Sequence, residues 1–431
     1  MNKLTKIMSI LTLLVILIAI GVPMTTQAQT DVPEWNEGDS WAMGYEKDLD
    51  VLFAPGINMI RDQIEDDLET DEEFESFDFN FEGEVSTYYV YEVVEVGDDY
   101  YVLEIYAGTE VKMQGDFEAT GQLPKEGTSE EDDDTEIRTI SGNGDLHYLS
   151  KLTGEAVFTK NELALESLEF DIEMSMEGNL NLYNFPDIEI LEEDDEFYYT
   201  DYSFGIMFNF EASMEMSFDP ALDMYNFPIE ENTEWIASST MTISGTYQGK
   251  FDITGLPEEI KEDFERDMGI ELPIIFEEFE VESIDEIEYG TIEETSDPVE
   301  IPMKCTGTDT IVLHDGTTVD VYILEFDMPT SPYQPSQPSF MMKYSSEHGN
   351  IVTTESSLRN TPFGEFVADD TIEMESVEAS EAKQNIDTMG EEEEENGFPI
   401  PFASTQMVMI SLIVAVMIAM ILKSKVPKNK N

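Results

Sequence analysis

From Phe170 to Glu177 and again from Phe208 to Glu215, apolar side chains alternate one for one with Asp, Glu, Asn and Ser. A period of two belongs to a β-strand with one dry face and one wet face. Each run leads to a Tyr-Asn-Phe-Pro element, Tyr183 to Pro186 and Tyr225 to Pro228. Val- and Tyr-rich stretches from Ser86 to Val96 and from Tyr100 to Ala107 flank Gly97-Asp98-Asp99, a hairpin signal. Thr310 to Leu313 and Thr317 to Phe326 flank His314-Asp315-Gly316 in the same way, since Asp-Gly suits a turn that needs positive φ. Gly154 and Gly349 are expected to mark two further hairpin turns.

The polar half of this alternation is overwhelmingly acidic. The chain holds 96 Asp and Glu against 20 Lys and Arg, and every acid lies between Asp31 and Glu395. Both flanks are apolar. Lys3 and Lys6, the run from Ile7 to Val22 and the small residues around Ala28 form a signal peptide, assigned to residues 1–28. No charge occurs from Phe398 to Leu422, and Lys423, Lys425, Lys428 and Lys430 follow. About twenty apolar residues span a bilayer, so residues 401–423 are expected to form a transmembrane helix. Met407, Leu412, Val416 and Leu422 lie in it, with Lys423 and Lys425 at its cytoplasmic edge. The positive-inside rule leaves 424–431 as a cytoplasmic tail and the acidic body outside the cell membrane. Residues 376–400, including Glu391 to Glu395, are expected to be a self-repelling acidic stalk.

Setting aside Lys3, Lys6 and the four tail lysines leaves 14 basic residues against 96 acidic ones, a formal charge of −82. Such a body repels nucleic acid and attracts cations. Calcium or other cations are expected only as non-specific counter-ions, and no cofactor is implied. Cys305 is the single cysteine, so no intramolecular disulfide can form, and no Asn-x-Ser/Thr sequon occurs.

Three matches in the same order point to an internal duplication. Ile60 to Leu68 aligns without a gap on Ile260 to Met268, Trp41 on Trp235, and Leu149 to Thr159 on Tyr344 to Thr354, at offsets of 200, 194 and 195 residues. In the first pair Ile60, Ile64 and Leu68, and Ile260, Phe264 and Met268, recur every fourth position, an amphipathic helix with one buried stripe. The expected fold is therefore α+β and mostly antiparallel: two tandem modules, at 29–215 and 216–375, each a curved sheet packed on one helix. Pro124 to Arg138 reads as a solvated insert, Pro329 to Pro338 as polyproline-like backbone, and Thr371 to Glu395 as polar and partly disordered.

The order of acidic spacer, Gly397-Phe398-Pro399, apolar helix and basic tail resembles the C-terminal anchors of archaeal surface proteins, some of which carry a Pro-Gly-Phe sorting signal. The residue order here departs from that motif. A curved sheet around a helix resembles the half-barrel of LolA/LppX-like lipoprotein carriers. Trp35-x-x-Gly38-Asp39-x-Trp41 looks like the opening of secreted archaeal β-rich modules.

No catalytic constellation emerges. His147, His314 and His348 match no zinc spacing, and no Gly-x-Ser-x-Gly elbow occurs. Asp78, Asn80 and Glu82 imitate an EF-hand start, but Tyr89 stands where the bidentate Glu is required. Glu130 to Asp134 and Glu192 to Asp195 are acidic clusters read as solvated loop charge. The tyrosines from Tyr88 to Tyr148 are read as sheet packing. The expected role is a non-enzymatic, membrane-anchored extracellular binding or envelope-organising protein, partnered by envelope proteins. The alternative is a carrier or sensor of lipid or another hydrophobic ligand. Ile60, Ile64, Leu68, Ile260, Phe264 and Met268 would then line its cavities.

Overall fold

A computed structural model describes residues 32–58, 74–128, 135–186, 198–255, 288–296, 298–327, 339–357 and 371–390. The chain is mostly antiparallel β. After β1 (Ser40–Asp48) comes one helical turn, α1 (Leu49–Leu52). Six long strands dominate: β2 (Phe74–Val96), β3 (Tyr100–Pro124), β4 (Thr135–Thr159), β5 (Leu165–Pro186), β6 (Tyr199–Leu222) and β7 (Glu234–Thr254). Shorter ones follow: β8 (Glu288–Thr295), β9 (Val299–Val312), β10 (Thr318–Asp327), β11 (Ser339–Ser345), β12 (Asn350–Ser357) and β13 (Thr371–Val377), then α2 (Ala379–Thr388).

Consecutive strands pair, except β8 and β9, which both pair with β7 instead of each other, and the sheet closes on itself. β1 pairs with both β2 and β13, and β6 pairs with β7. β8 and β9 share one edge of β7, Thr295 opposite Thr242 and Val299 opposite Ser239, so they form one interrupted lane. The circuit joins into a single sheet what the sequence leads one to expect as two separate curved sheets. Unpaired edges expose rows of N–H and C=O groups, and closure removes them at β1, β6, β7 and β13.

The walls differ in height. β3 and β4 each have 25 residues, roughly 80 Å at ~3.3 Å per residue. β11 and β13 have 7, roughly 23 Å. The circuit is thus complete over a lower portion, where β1 spans Glu84 to Glu92 of β2. Above it the long strands continue as an open wall.

The hairpins at Gly97-Asp98-Asp99 and at His314-Asp315-Gly316 form where expected, with Gly316 at φ +83°, and Gly349 at φ +68° turns β11 into β12. Gly154 does not turn the chain. It lies within β4, between Ile105 and Phe170, where an added Cβ would stand 2.4 Å from the Glu169 carbonyl oxygen. This glycine is required for space. The stretch from Thr371 also departs from expectation: β13 and α2 are ordered because Ile372 and Met374 face the core and Ala382, Ile386 and Met389 are buried. Pro124 and Thr135 to Arg138 belong to strands as well. Arg138 stacks on the Tyr199 ring at 4.1 Å and reaches Asn184 Oδ1 at 3.2 Å, so this rim is held in place.

Strand parity explains the core. Odd residues of β2 from Phe77 to Val93, of β3 from Tyr101 to Leu123 and of β7 from Trp235 to Gly249 face inward. So do even residues of β4 from Ile140 to Phe158, of β5 from Leu168 to Leu182 and of β6 from Tyr202 to Phe218. Not one of these inward positions carries a charge. Most inward side chains belong to one continuous hydrophobic cluster, and Ala119, Leu123 and Ile140 with Phe77 form a smaller one at the rim. Outside, α2 lies across β1 to β4, sealing Ala42, Tyr88, Val90 and Leu149.

Candidate ligand-binding interior

One end of the closed portion is filled by aromatic rings. Trp35 precedes β1 and packs on Tyr101 (centroids 4.7 Å), Trp41 (6.1 Å) and the edge of Phe158 (5.9 Å). Its backbone N–H donates to Tyr101 Oη at 3.2 Å. Trp41 stacks on Tyr91, its cross-strand partner, at 5.4 Å. From the opposite side the β6–β7 connection delivers Tyr225, which stacks on Phe227 (5.6 Å) and leans on Tyr344 (6.0 Å). That connection is pinned twice. Asp223 Oδ1 accepts from the backbone N–H of Tyr225 and Asn226 at 3.1 and 2.9 Å. Asn232 N–H donates to the Cys305 carbonyl at 2.8 Å, and Cys305 N–H to that of Thr233 at 3.0 Å.

Above this floor the lining is Met, Phe, Ile and Leu, with few hydroxyls. Thr87 and Thr109 hydrogen-bond to each other at 3.1 Å. Four tyrosines converge near the floor. Burial raises the Tyr91 phenol well above its usual range, and the Tyr89 and Tyr225 phenols add to the rise. Tyr344 is raised by burial and then by Tyr225 and Tyr322. Removing a phenolate from water is costly, so all these hydroxyls remain neutral at any ordinary pH. Each is then a donor as well as an acceptor.

Tyr89 is different in kind. Burial alone pushes its phenol up to about 12, and no hydrogen bond contributes. Yet its side chain is only partly covered. The Nε1 atoms of Trp35 and Trp41 are buried on the same side with no hydrogen-bond partner, their residues 2% and 5% exposed. A buried donor left unpaired costs roughly 1–3 kcal/mol.

The six cavity residues expected from sequence, Ile60, Ile64, Leu68, Ile260, Phe264 and Met268, lie outside the described residues. So do Met407, Leu412, Val416, Leu422, Lys423 and Lys425 of the expected anchor. Among the described residues no helix is long and apolar enough to cross a membrane. Trp41 and Trp235, aligned in sequence, both face inward. Trp41 is core, whereas Trp235 is only partly buried against it. Tyr225, Tyr322 and Tyr344 carry no sequence signal as a group. Only the closure of the circuit brings them beside Tyr89 and Tyr91.

Other polar groups are accounted for locally. His147 Nε2 and Lys112 Nζ lie 2.9 and 3.2 Å from Glu110 Oε1 on the outer face, holding that carboxyl below its usual range despite its burial. Ser345 Oγ is fully buried and accepts from the His348 backbone N–H at 3.2 Å, closing the β11–β12 turn. Among the described residues no three His, Cys, Asp or Glu side chains converge on a metal position. Comparison with family models, with curated proteins and with solved structures finds no match for this chain.

Proposed function

We propose that this is a binding protein that takes an apolar ligand into the interior of its closed sheet, as a carrier or sensor displayed outside a cell membrane. The observation that carries the reading is the inward face itself: a chain with 96 acids places none of them at the inward positions set out above, the acid Glu136 standing outside that stretch at the β4 rim, opposite Leu123. A solid core would need the same patterning, but the circumference argues for room inside. Twelve lanes at ~4.8 Å spacing and ~40° tilt enclose a backbone diameter of about 24 Å if round. Sheets in direct face-to-face contact stand ~10 Å apart. Ligand sites are typically enclosed, apolar and dotted with a few convergent polar groups. The proposal assigns the interior to that class.

Export through residues 1–28, anchoring by 401–423, an acidic stalk and the copying of one module in tandem complete the proposal on sequence grounds. Cations enter as counter-ions to the acidic surface, and catalysis is not part of this reading. The test is to express residues 29–395, extract the purified protein with organic solvent for mass spectrometry, and titrate it with the fluorescent probe N-phenyl-1-naphthylamine. Co-purified lipid or saturable probe binding near one equivalent is expected. Delipidated protein that gives no saturable signal would return the chain to the envelope-organising reading.

A further inference from the structure

The seam between β1 and β13 is where the circuit joins, and α2 crosses it. β13 runs beside β12 only as far as Glu375, opposite Thr353. Beyond that point Ser376 and Val377 pair with Met43 and Ala42 of β1 alone among the described strands. Glu378 then leads directly into α2. The helix thus belongs by chain to the β13 side of the seam but packs on the other side. Its Ala382, Ile386 and Met389 are buried with Ala42 of β1, Tyr88 and Val90 of β2 and Leu149 of β4, and Val377 packs against the same cluster. The outward rung of the seam, Ala42 opposite Val377, therefore lies within the apolar contact that seats α2. Water must enter that contact before the rung can part, so helix and seam gain from the same burial.

Charge opposes the contact. α2 and the residue before it carry Glu378, Glu381 and Asp387 against Lys383, and the sequence continues into Glu391 to Glu395. The wall beneath presents Glu46, Glu92 and Glu104. Lys383 Nζ lies 3.8 Å from Glu92 Oε2 and 3.8 Å from the centre of the Tyr106 ring, whose hydroxyl donates to Glu104 at 2.6 Å. Tyr88 donates to Glu46, and Asn385 of α2 hydrogen-bonds the same hydroxyl. Lys151 Nζ donates to the Asp387 carbonyl at 3.2 Å. Two lysines thus stand among six carboxylates. Salt weakens the excess repulsion, since the Debye length falls from ~10 Å at 0.1 M to ~3 Å at 1 M.

We infer that α2 is a salt-controlled clasp on the β1–β13 seam. Screened from the acids of the wall, it holds the seam shut; at low salt it lifts, and the sheet parts between β1 and β13.

Hydrogen-exchange mass spectrometry of the full chain in detergent reads α2 and the seam, Ala42 to Gly44 and Glu375 to Val377, with β4 and β5 as the reference. Lowering sodium chloride from 1 M to 0.1 M should speed exchange about tenfold at α2 and the seam together, and less than about threefold in the reference. Lys383→Gln should speed both sites about fivefold at 0.1 M. Replacing Glu378→Gln, Glu381→Gln and Asp387→Asn together should remove most of the salt response at both sites. A salt response that is absent from α2, or that survives the triple replacement, overturns control by charge. Opening of α2 while the seam exchanges as before overturns the clasp. Should Lys383→Gln also loosen β4 and β5, the salt series on the unaltered chain decides alone.

Discussion

Gly108 in β3 faces outward beneath α2, and replacing it with valine tests whether that helix straps the sheet. A Cβ at Gly108 would lie 2.8 Å from Met389 Sδ and 3.1 and 3.2 Å from Ile386 Cγ1 and Cγ2. The thioether can swing aside, but the branched Ile386 has little freedom, and valine adds two methyl groups in the same direction. Overpacking of this kind costs ~1–3 kcal/mol. The strand itself should not object, because valine favours β structure. A helix of 10 residues does not persist unsupported, so the strain is expected to be released by undocking. Local opening would rise about 5- to 150-fold, and amide exchange with it. Hydrogen-exchange mass spectrometry of the 29–395 protein reads this at Ala382 and Met389, whose N–H groups bond Glu378 and Asn385 carbonyls at 2.9 and 3.0 Å. Amides of β5 and β6, remote from the helix, should exchange as before. Pairing the variant with Ile386→Ala should restore part of the protection, since the two changes share one contact. Unchanged exchange in α2, with or without a loss elsewhere, would show that the helix is not seated on Gly108.

Three further outcomes follow from the outer face and the rim. Glu92, Glu104, Glu155, Glu169 and Glu215 stand directly opposite one another across β2 to β6. Like charges in register cost ~0.2–1 kcal/mol per pair, so Glu155→Gln should raise the melting temperature by about 1–3 °C at 0.1 M salt and by nothing at 1 M, where the Debye length is ~3 Å; a loss at both salts would contradict this. Glu110 is held below its usual range by His147 and Lys112 against the opposing effect of burial, so its contribution is present above the ordinary Glu range and fades as pH falls through the lowered value. Denaturation of Glu110→Gln should therefore show a deficit of about 1 kcal/mol at pH 7 that closes towards pH 3; a gap independent of pH argues against the ion pair. Arg138→Lys keeps the charge but loses the planar contact with Tyr199 and the fork to Asn184 and Glu136, and should speed amide exchange about tenfold at the β3–β4 rim while leaving the floor around Trp35 unaffected.

The face of each strand was legible in the sequence, because alternation needs only a local window. Phe170 to Glu177 and Phe208 to Glu215 are strands with the expected wet and dry sides. Gly97-Asp98-Asp99 and Asp315-Gly316 turn because their backbone chemistry is local too. Gly154 misled because glycine serves turning and close approach alike, and only the position of Phe170 on the next strand distinguishes them. β13 and α2 were hidden by composition. Glu373, Glu375, Glu378 and Glu381 dominate the stretch, and the apolar stripe of Ala382, Ile386 and Met389 is narrow. The tyrosine group was illegible for a different reason. Tyr91 and Tyr344 are more than 250 residues apart in the chain, and no window contains both.

The interior therefore belongs to the closure rather than to any strand, and the weakest part of the closure is short. β1 and β13 meet through Ala42 and Val377, Met43 and Ser376, and Gly44 and Glu375 alone, whereas β3 and β4 stay in register from Tyr100 to Pro124. Proline at Glu375, which is exposed and exchanges its backbone hydrogen bonds with Gly44, removes a backbone donor from that three-rung contact and leaves the tall wall untouched. If the ligand is held by enclosure, Glu375→Pro should weaken N-phenyl-1-naphthylamine binding at least tenfold while β3 to β5 keep their slow amide exchange. If it is held by the wall alone, the same variant should loosen the β1–β13 contact and bind the probe as before, and the argument from closure would fail.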